Sequence, residues 1–204
     1  MKSTFTGPAP LYKFLSECNI NPLDKIVLDC GAGGSQPPLT VFKENGYQTH
    51  GIDISESQLV KAQQFCQVNN MDLGIIKGDM RAIPFADESM SFVYCYSSIC
   101  HMSKDDAEIA MKDLTRVLKK TGLCFVSFCI AGKVIPENIE PRSPGEYPYK
   151  GDGLTGVHTL YDDTEPDGFF CDYKIIWRER RWIENYSTDK KNAWAEICYI
   201  ACKL

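Results

Sequence analysis

The chain has 204 residues, 44% of them hydrophobic and 24% charged, with a formal net charge of −5. That length suits one globular domain with a sizeable core, and an acidic surface that repels phosphate argues against non-specific nucleic-acid binding. The longest strongly apolar run, residues 123–131, is far shorter than the ~20 residues that span a bilayer, so no membrane association is expected.

Residues 1–23 are read as a cap segment ahead of the core. Residues 1–10 lack the apolar stretch of a secretory signal, so no signal peptide is expected. Residues 25–30 (KIVLDC) form a short apolar run that stops at glycines, a first strand. Residues 37–45 read as a helix with prolines in its first turn and Gly46 as its stop. A second strand covers 47–53. Ser55 and Gln58 then make a Ser-x-x-Gln capping box, and Leu59, Ala62 and Cys66 give a helical apolar stripe.

Residues 73–77 are a third strand and 90–96 a fourth. Ser103 is placed to cap a helix whose stripe is Ala107, Ala110, Met111, Leu114, Val117 and Leu118. Lys119 and Lys120 suit its C-terminal dipole and Gly122 its exit. Residues 123–130 are a fifth strand. Residues 131–168 carry prolines at 136, 141, 144, 148 and 166 and no clear long helix. Residues 173–186 and 193–203 are strand-like, joined by a polar turn at 187–192, and read as a terminal antiparallel hairpin.

Alternating strands and helices imply an α/β fold, a Rossmann-like, doubly wound, mostly parallel sheet ending in that C-terminal antiparallel hairpin. The chain divides as one domain: the cap segment 1–23, a ligand-binding core 24–130, a lid or substrate segment 131–168, and the hairpin 169–204. The ten cysteines include no C-x-x-C pair. Most sit in apolar runs, where they act as small buried hydrophobes, so no metal and no disulfide is expected. This usage suits a reducing cytoplasm.

The first strand runs into Asp29-Cys30-Gly31-Ala32-Gly33-Gly34-Ser35. Glycines just beyond a strand let the backbone turn sharply and approach a ligand; a tight turn with no ligand is the plainer explanation. A dinucleotide fits poorly. Gln36 stands where its third glycine belongs, and Pro37 and Pro38 remove N–H donors that a pyrophosphate needs. Asp29 adds a negative charge beside the glycines, which favours a phosphate-free ligand bearing an ammonium. Asp53 ends the second strand, 22 residues after Gly31 (53 − 31). Its carboxylate can accept both hydroxyls of a ribose, as in dinucleotide folds too, or serve only as an acid at a helix start. Asp79, after the third strand, can accept from an adenine amino group while Met80 packs the ring; a simple Gly-Asp turn is the alternative.

Taken together, VLDCGAGGS (27–35), GIDIS (51–55), GDMRAIPFADESMSFVYCYSSICHM (78–102) and LTRVLKKTGLCFVSF (114–128) resemble the small-molecule class I S-adenosylmethionine-dependent methyltransferases, the group that includes the ubiquinone/menaquinone biosynthesis methyltransferases. The resemblance implies a seven-stranded sheet in which the terminal hairpin places one antiparallel strand inside, and S-adenosylmethionine as cofactor. It implies that Gly31, Ala32 and Gly33 approach the methionine part, that Asp53 and Ile54 hold the ribose, and that Asp79 and Met80 hold the adenine. Tyr96 and Ser97 would then lie near the methionine carboxylate and methyl group. Two departures stand out: Ser35 replaces the loop's last glycine, and the helix between strands five and six is short or absent.

A sulfonium methyl is already activated, so such a site mainly aligns the acceptor, and a base is needed only where the acceptor loses a proton. His101, after the fourth strand, is the candidate base, with packing or helix capping as the plainer role. Tyr147, Tyr149 and His158 in the irregular segment, and Tyr12 in the cap segment, are candidates to face the substrate. His50, within the second strand, reads as structural. Arg178 and Arg180 share one face of a strand while Arg181 opposes them, which reads as a solvated strand. The expected function is methyl transfer to a small-molecule acceptor. The alternative is a non-catalytic S-adenosylmethionine-binding or regulatory subunit, and a nicotinamide oxidoreductase comes third. The acceptor, the atom methylated and the oligomeric state are left open.

Overall fold

The computed structural model describes residues 7–131, 140–151, 154–187 and 190–204. Seven strands form one sheet: β1 (Ile26–Cys30), β2 (Gln48–Asp53), β3 (Ile75–Lys77), β4 (Met90–Cys95), β5 (Leu118–Ile130), β8 (Tyr173–Ser187) and β9 (Lys190–Lys203). A separate hairpin pairs β6 (Glu146–Gly151) with β7 (Leu154–Thr159). The sheet order is β3-β2-β1-β4-β5-β9-β8. β1 to β5 pair in parallel, while β9 is antiparallel to both β5 and β8. The doubly wound sheet with one antiparallel strand inside it is therefore as expected.

The central strands are largely apolar because both of their faces are covered. On β4, Phe92 and Tyr94 pack into one core while Val93 and Cys95 pack into the other. The first core includes helix α1 (Ala9–Ile20) and helix α2 (Leu39–Glu44); the second includes helix α4 (Lys104–Val117). α1 buries Leu11, Phe14, Leu15 and Cys18, a spacing that fits one helical face. The cap segment thus contains a core helix.

α4 matches its sequence pattern. Ser103 caps it by accepting the Asp106 N–H at 3.1 Å, and Ala107, Ala110, Met111, Leu114 and Val117 are buried. Its end differs, because Lys119, Lys120 and Gly122 belong to β5. Leu118 is fully buried and pairs with Met90, which draws the chain into the sheet directly after Val117. The expected capping box before helix α3 (Glu56–Val68) does not form: Ser55 accepts no capping hydrogen bond. Its own N–H, which the Gln58 side chain would take in a capping box, donates instead to Asp53 Oδ1 at 2.8 Å.

The irregular segment has two parts among its described residues. Tyr161 is fully buried, and the 3₁₀ turn Glu165–Phe170 packs with it, so this end belongs to the core. The β6–β7 hairpin stands over the C-terminal ends of the parallel strands. It is tied there by the Lys104 N–H to Glu146 Oε1 at 2.7 Å and by the Thr159 hydroxyl to the Met102 carbonyl at 2.6 Å. The three arginines of β8 pair with acids: Arg178 and Arg180 reach Asp167 and Asp163, and Arg181 reaches Glu196 on the other face. Among the described residues no helix is long and apolar enough to cross a membrane.

Candidate cofactor and acceptor site

β1 lies between β2 and β4, where the strand order reverses, so a crevice opens at the ends of these strands. The loop after β1 is pinned to the end of β2. Gly31 and Ala32 donate their N–H groups to the Ile52 carbonyl at 2.8 and 2.9 Å, and Gly33 donates to Asp53 Oδ2 at 2.8 Å. Glycine is required at two places here. Gly31 has φ +101°, and a Cβ would sit 2.1 Å from Ser98 Oγ. A Cβ on Gly33 would sit 2.5 Å from Asp53 Oδ2. Bare backbone therefore forms the floor of the crevice.

Each Asp53 oxygen accepts one backbone N–H. A carboxylate oxygen has two acceptor positions, so both retain one for a ligand hydroxyl. The crevice continues as a cavity of about 610 Å³. Gly31, Gly33, Asp53, Ile54, Asp79, Met80, Ser97, Ser98, His101, Met102, Tyr149 and Val157 are among the residues that line it. This donor set fits S-adenosylmethionine: a carboxylate for two ribose hydroxyls, apolar Ile54 and Met80 for an adenine, and a loop without side chains for the methionine part.

Several residues expected to contribute lie elsewhere. Tyr96 stacks on Phe125, with ring centroids 6.0 Å apart, and its hydroxyl faces Glu196 at 3.5 Å. Ala32 is fully buried beneath the loop. Tyr12 is exposed on α1, and its hydroxyl accepts the Gly7 N–H at 3.2 Å. Tyr147 lies opposite His158 in the hairpin, and neither lines the cavity. His158 does approach it from behind, its ring 5.4 Å from that of His101. Asp79 is engaged: Arg81 binds it through Nε at 3.0 Å and Nη2 at 2.6 Å, and the same guanidinium reaches Asp106 at 3.1 Å. Hydrogen bonding from Arg81 holds the Asp79 carboxyl below the usual carboxylate range.

Arg81 and Gln58 also line the cavity, as do Ser98, Met102 and residues 155–157. Ser98 and Met102 fall inside the 78–102 stretch singled out in the sequence. Residues 155–157 carry no linear signal, because only hairpin pairing brings them over the strand ends.

Asp29 is buried within β1, and its Oδ2 makes no hydrogen bond. Burial pushes this carboxyl up from 3.8 to about 8, with a nearby Tyr94 hydroxyl opposing the shift and the Asp53 charge adding to it. A carboxyl whose folded pKa is raised contributes stability below its unfolded pKa and loses it as pH rises through the folded value. The contribution of Asp29 is thus complete below about pH 4 and lost by about pH 8. Asp29→Asn keeps the shape and stays neutral. Between about pH 5 and pH 9, the wild-type melting temperature should fall relative to that of the variant. Parallel pH profiles in both proteins would disprove the assignment.

Residues 28–126 match the family model described as a methyltransferase domain. A cycloartenol-C-24-methyltransferase of Arabidopsis thaliana is 29% identical over 146 residues, covering 69% of this chain and 42% of that protein. The O-methyltransferase resE of Aspergillus sclerotiorum is 29% identical over 133 residues, covering 59% and 50%. The chain thus spans half or less of the length of these relatives. Among solved structures, a SAM-dependent methyltransferase from Methanosarcina mazei matches with a TM-score of 0.76 at 17% identity, covering 98% of this chain and 99% of that one. TehB from Haemophilus influenzae matches at 0.69 and 13% identity, covering 95% and 62%. The fold is shared with these solved structures, and the matched methyltransferase domain spans β1 to β5.

Proposed function

We propose that this chain, which carries a class I methyltransferase domain, binds S-adenosylmethionine in the cavity and methylates a small, largely apolar acceptor held under the β6–β7 hairpin. The observation that carries this reading is the Asp53 carboxylate, with a free acceptor position on each oxygen beside a bare-backbone loop. The cofactor supplies a methyl group already activated as a sulfonium.

The chain supplies position. Asp53 and Ile54 hold the ribose, Met80 packs the adenine beside the Arg81-bound Asp79, and Gly31 and Gly33 leave room for the methionine part. Asp29 lies under this loop, and its carboxylate form would favour an ammonium above it. Ser97 lines the crevice where β4 ends; Tyr96 and Ala32 support it from behind. On the acceptor side, His101 and Tyr149 line the cavity 4.7 Å apart by ring centroids. There His101 orients an acceptor hydroxyl or takes its proton where one must leave. Tyr147 and His158 back this wall, and Tyr12 would contribute only if the acceptor reaches over α1. The names of the sterol relatives, a cycloartenol and a yeast sterol 24-C-methyltransferase, support an apolar acceptor.

Calorimetric titration with S-adenosylhomocysteine and with NAD tests the cofactor. Saturable binding of the first alone is expected, stabilising the fold by about 2.7 kcal/mol at 100 times its Kd. Labelled methyl transfer to a panel of sterols, phenols, amines and thiols then tests activity. Absence of saturable binding at millimolar ligand removes the whole reading. Binding without transfer to any acceptor would instead leave a cofactor-binding subunit.

A further inference from the structure

Three soft or borderline metal donors meet where the hairpin joins the sheet, with a fourth, Cys129, beside two of them. Cys100 and His101 belong to the 3₁₀ turn Ile99–His101 after β4, Cys129 lies near the end of β5, and His158 is on β7. One ligating atom from each of Cys100, His101 and His158 lies within 4.8 Å of the other two. The Cys129 thiol interacts with both the Cys100 thiol and the His158 imidazole. His158 Nδ1 is buried and makes no hydrogen bond, an unpartnered ring nitrogen that a cation would engage in the tautomer that leaves it unprotonated.

We propose that Cys100, His101 and His158, with Cys129 as fourth donor, bind a zinc-type divalent metal ion that clips the hairpin over the cavity. Two thiolates and two imidazoles are the donor set of tetrahedral zinc, in preference to the hard oxygen-binding cations. Metal–sulfur bonds of about 2.3 Å and metal–nitrogen bonds of about 2.0 Å imply donor separations of roughly 3.5 Å. The spacing among Cys100, His101 and His158, up to 4.8 Å, closes by about 1 Å on binding, and Cys129, which lies outside that group of three, moves in as the fourth donor. Since His158 is the only one of the four on the hairpin, contraction draws β7 toward the sheet. The ion enters from the cavity, which His101 lines. Binding replaces thiol protons by metal, and these protons leave to solvent. A metal-bound nitrogen of His101 no longer accepts a proton, so at that atom the site and a base exclude one another.

Linear spacing concealed this cluster. Its donors come from positions 100, 101, 129 and 158, and the absence of C-x-x-C pairs pointed away from metal. The expectation of no metal rested on that spacing and on the apolar runs in which most of the cysteines sit.

Chelator-treated protein, kept reduced with a phosphine, would be titrated with Co²⁺ and then Zn²⁺. One equivalent of cobalt should give the visible bands of a tetrahedral site together with a thiolate charge-transfer band, and zinc should displace it. Cys100→Ser and His158→Gln should each weaken zinc binding by more than the roughly 10–100-fold typical of losing an outer-shell partner. Cys171→Ser, at an exposed cysteine, should leave it unchanged. Zinc should also slow amide exchange along β7. His158→Gln alters a half-buried hairpin residue and remains informative if the buried Cys100 variant fails to fold; a cooperative thermal melt reports folding in each. Octahedral cobalt spectra, tetrahedral bands that persist in folded His158→Gln protein, or unchanged β7 exchange would overturn the site. Cofactor binding measured without metal stays a separate test, so either proposal can fail alone.

Discussion

Asp53→Ala should lower the affinity for S-adenosylhomocysteine by roughly 100-fold or more. Each ribose hydroxyl would donate to an ionised oxygen, and such hydrogen bonds contribute about 1.5–3 kcal/mol. Two at the lower limit total about 3 kcal/mol, or two decades in Kd. The geometry adds a second loss. Asp53 also accepts the Gly33 and Ser55 N–H groups, so alanine frees the loop that carries the methionine pocket. Asp53→Asn keeps the size and one acceptor oxygen, and should fall between wild type and alanine. Calorimetry on variants with a cooperative melt is the measurement. A Kd unchanged in folded Asp53→Ala would remove the ribose assignment.

Replacing residues 146–159 by a short Gly-Ser linker should abolish methyl transfer while leaving cofactor affinity within a few-fold. The closure is sterically simple, because the Leu160 N–H already donates to the Gly145 carbonyl at 2.7 Å and the two ends are adjacent. The cofactor end of the cavity is built by residues 31–81 and survives the replacement. The acceptor end loses Tyr149 and residues 155–157. Tyr161 stays, as it must, because it is a fully buried core residue. Normal turnover by the shortened protein would make the hairpin ordinary surface and direct the search for the acceptor to α1 around Tyr12.

Between residues 26 and 130 the sequence pattern alone determined the architecture. β1, β4 and the 123–130 part of β5 are largely buried on both faces, so their residues are mostly apolar, and such runs between amphipathic helices have one common solution. The glycine loop and Asp53 were equally legible. A position where an added Cβ would sit 2.1 or 2.5 Å from a neighbouring side chain, as at Gly31 and Gly33, admits only glycine, and the end of β2 is the place from which a carboxylate can meet that loop. α1 was less visible, since prolines flank its start, although Leu11, Phe14, Leu15 and Cys18 carry its spacing.

Tertiary structure decided the rest. Strand register turned Asp29 inward beneath the loop and Tyr96 toward Glu196. Arg81 claimed Asp79 because a short turn brings their side chains together. The hairpin, its cavity-facing residues 155–157 and the cluster of Cys100, His101, Cys129 and His158 exist only through long-range pairing. Local sequence patterns record which face of an element is buried; they do not record which distant element covers it. The cofactor end of this site lies on consecutive strands and could be read from the chain, whereas the acceptor end is assembled from segments up to 60 residues apart and could not.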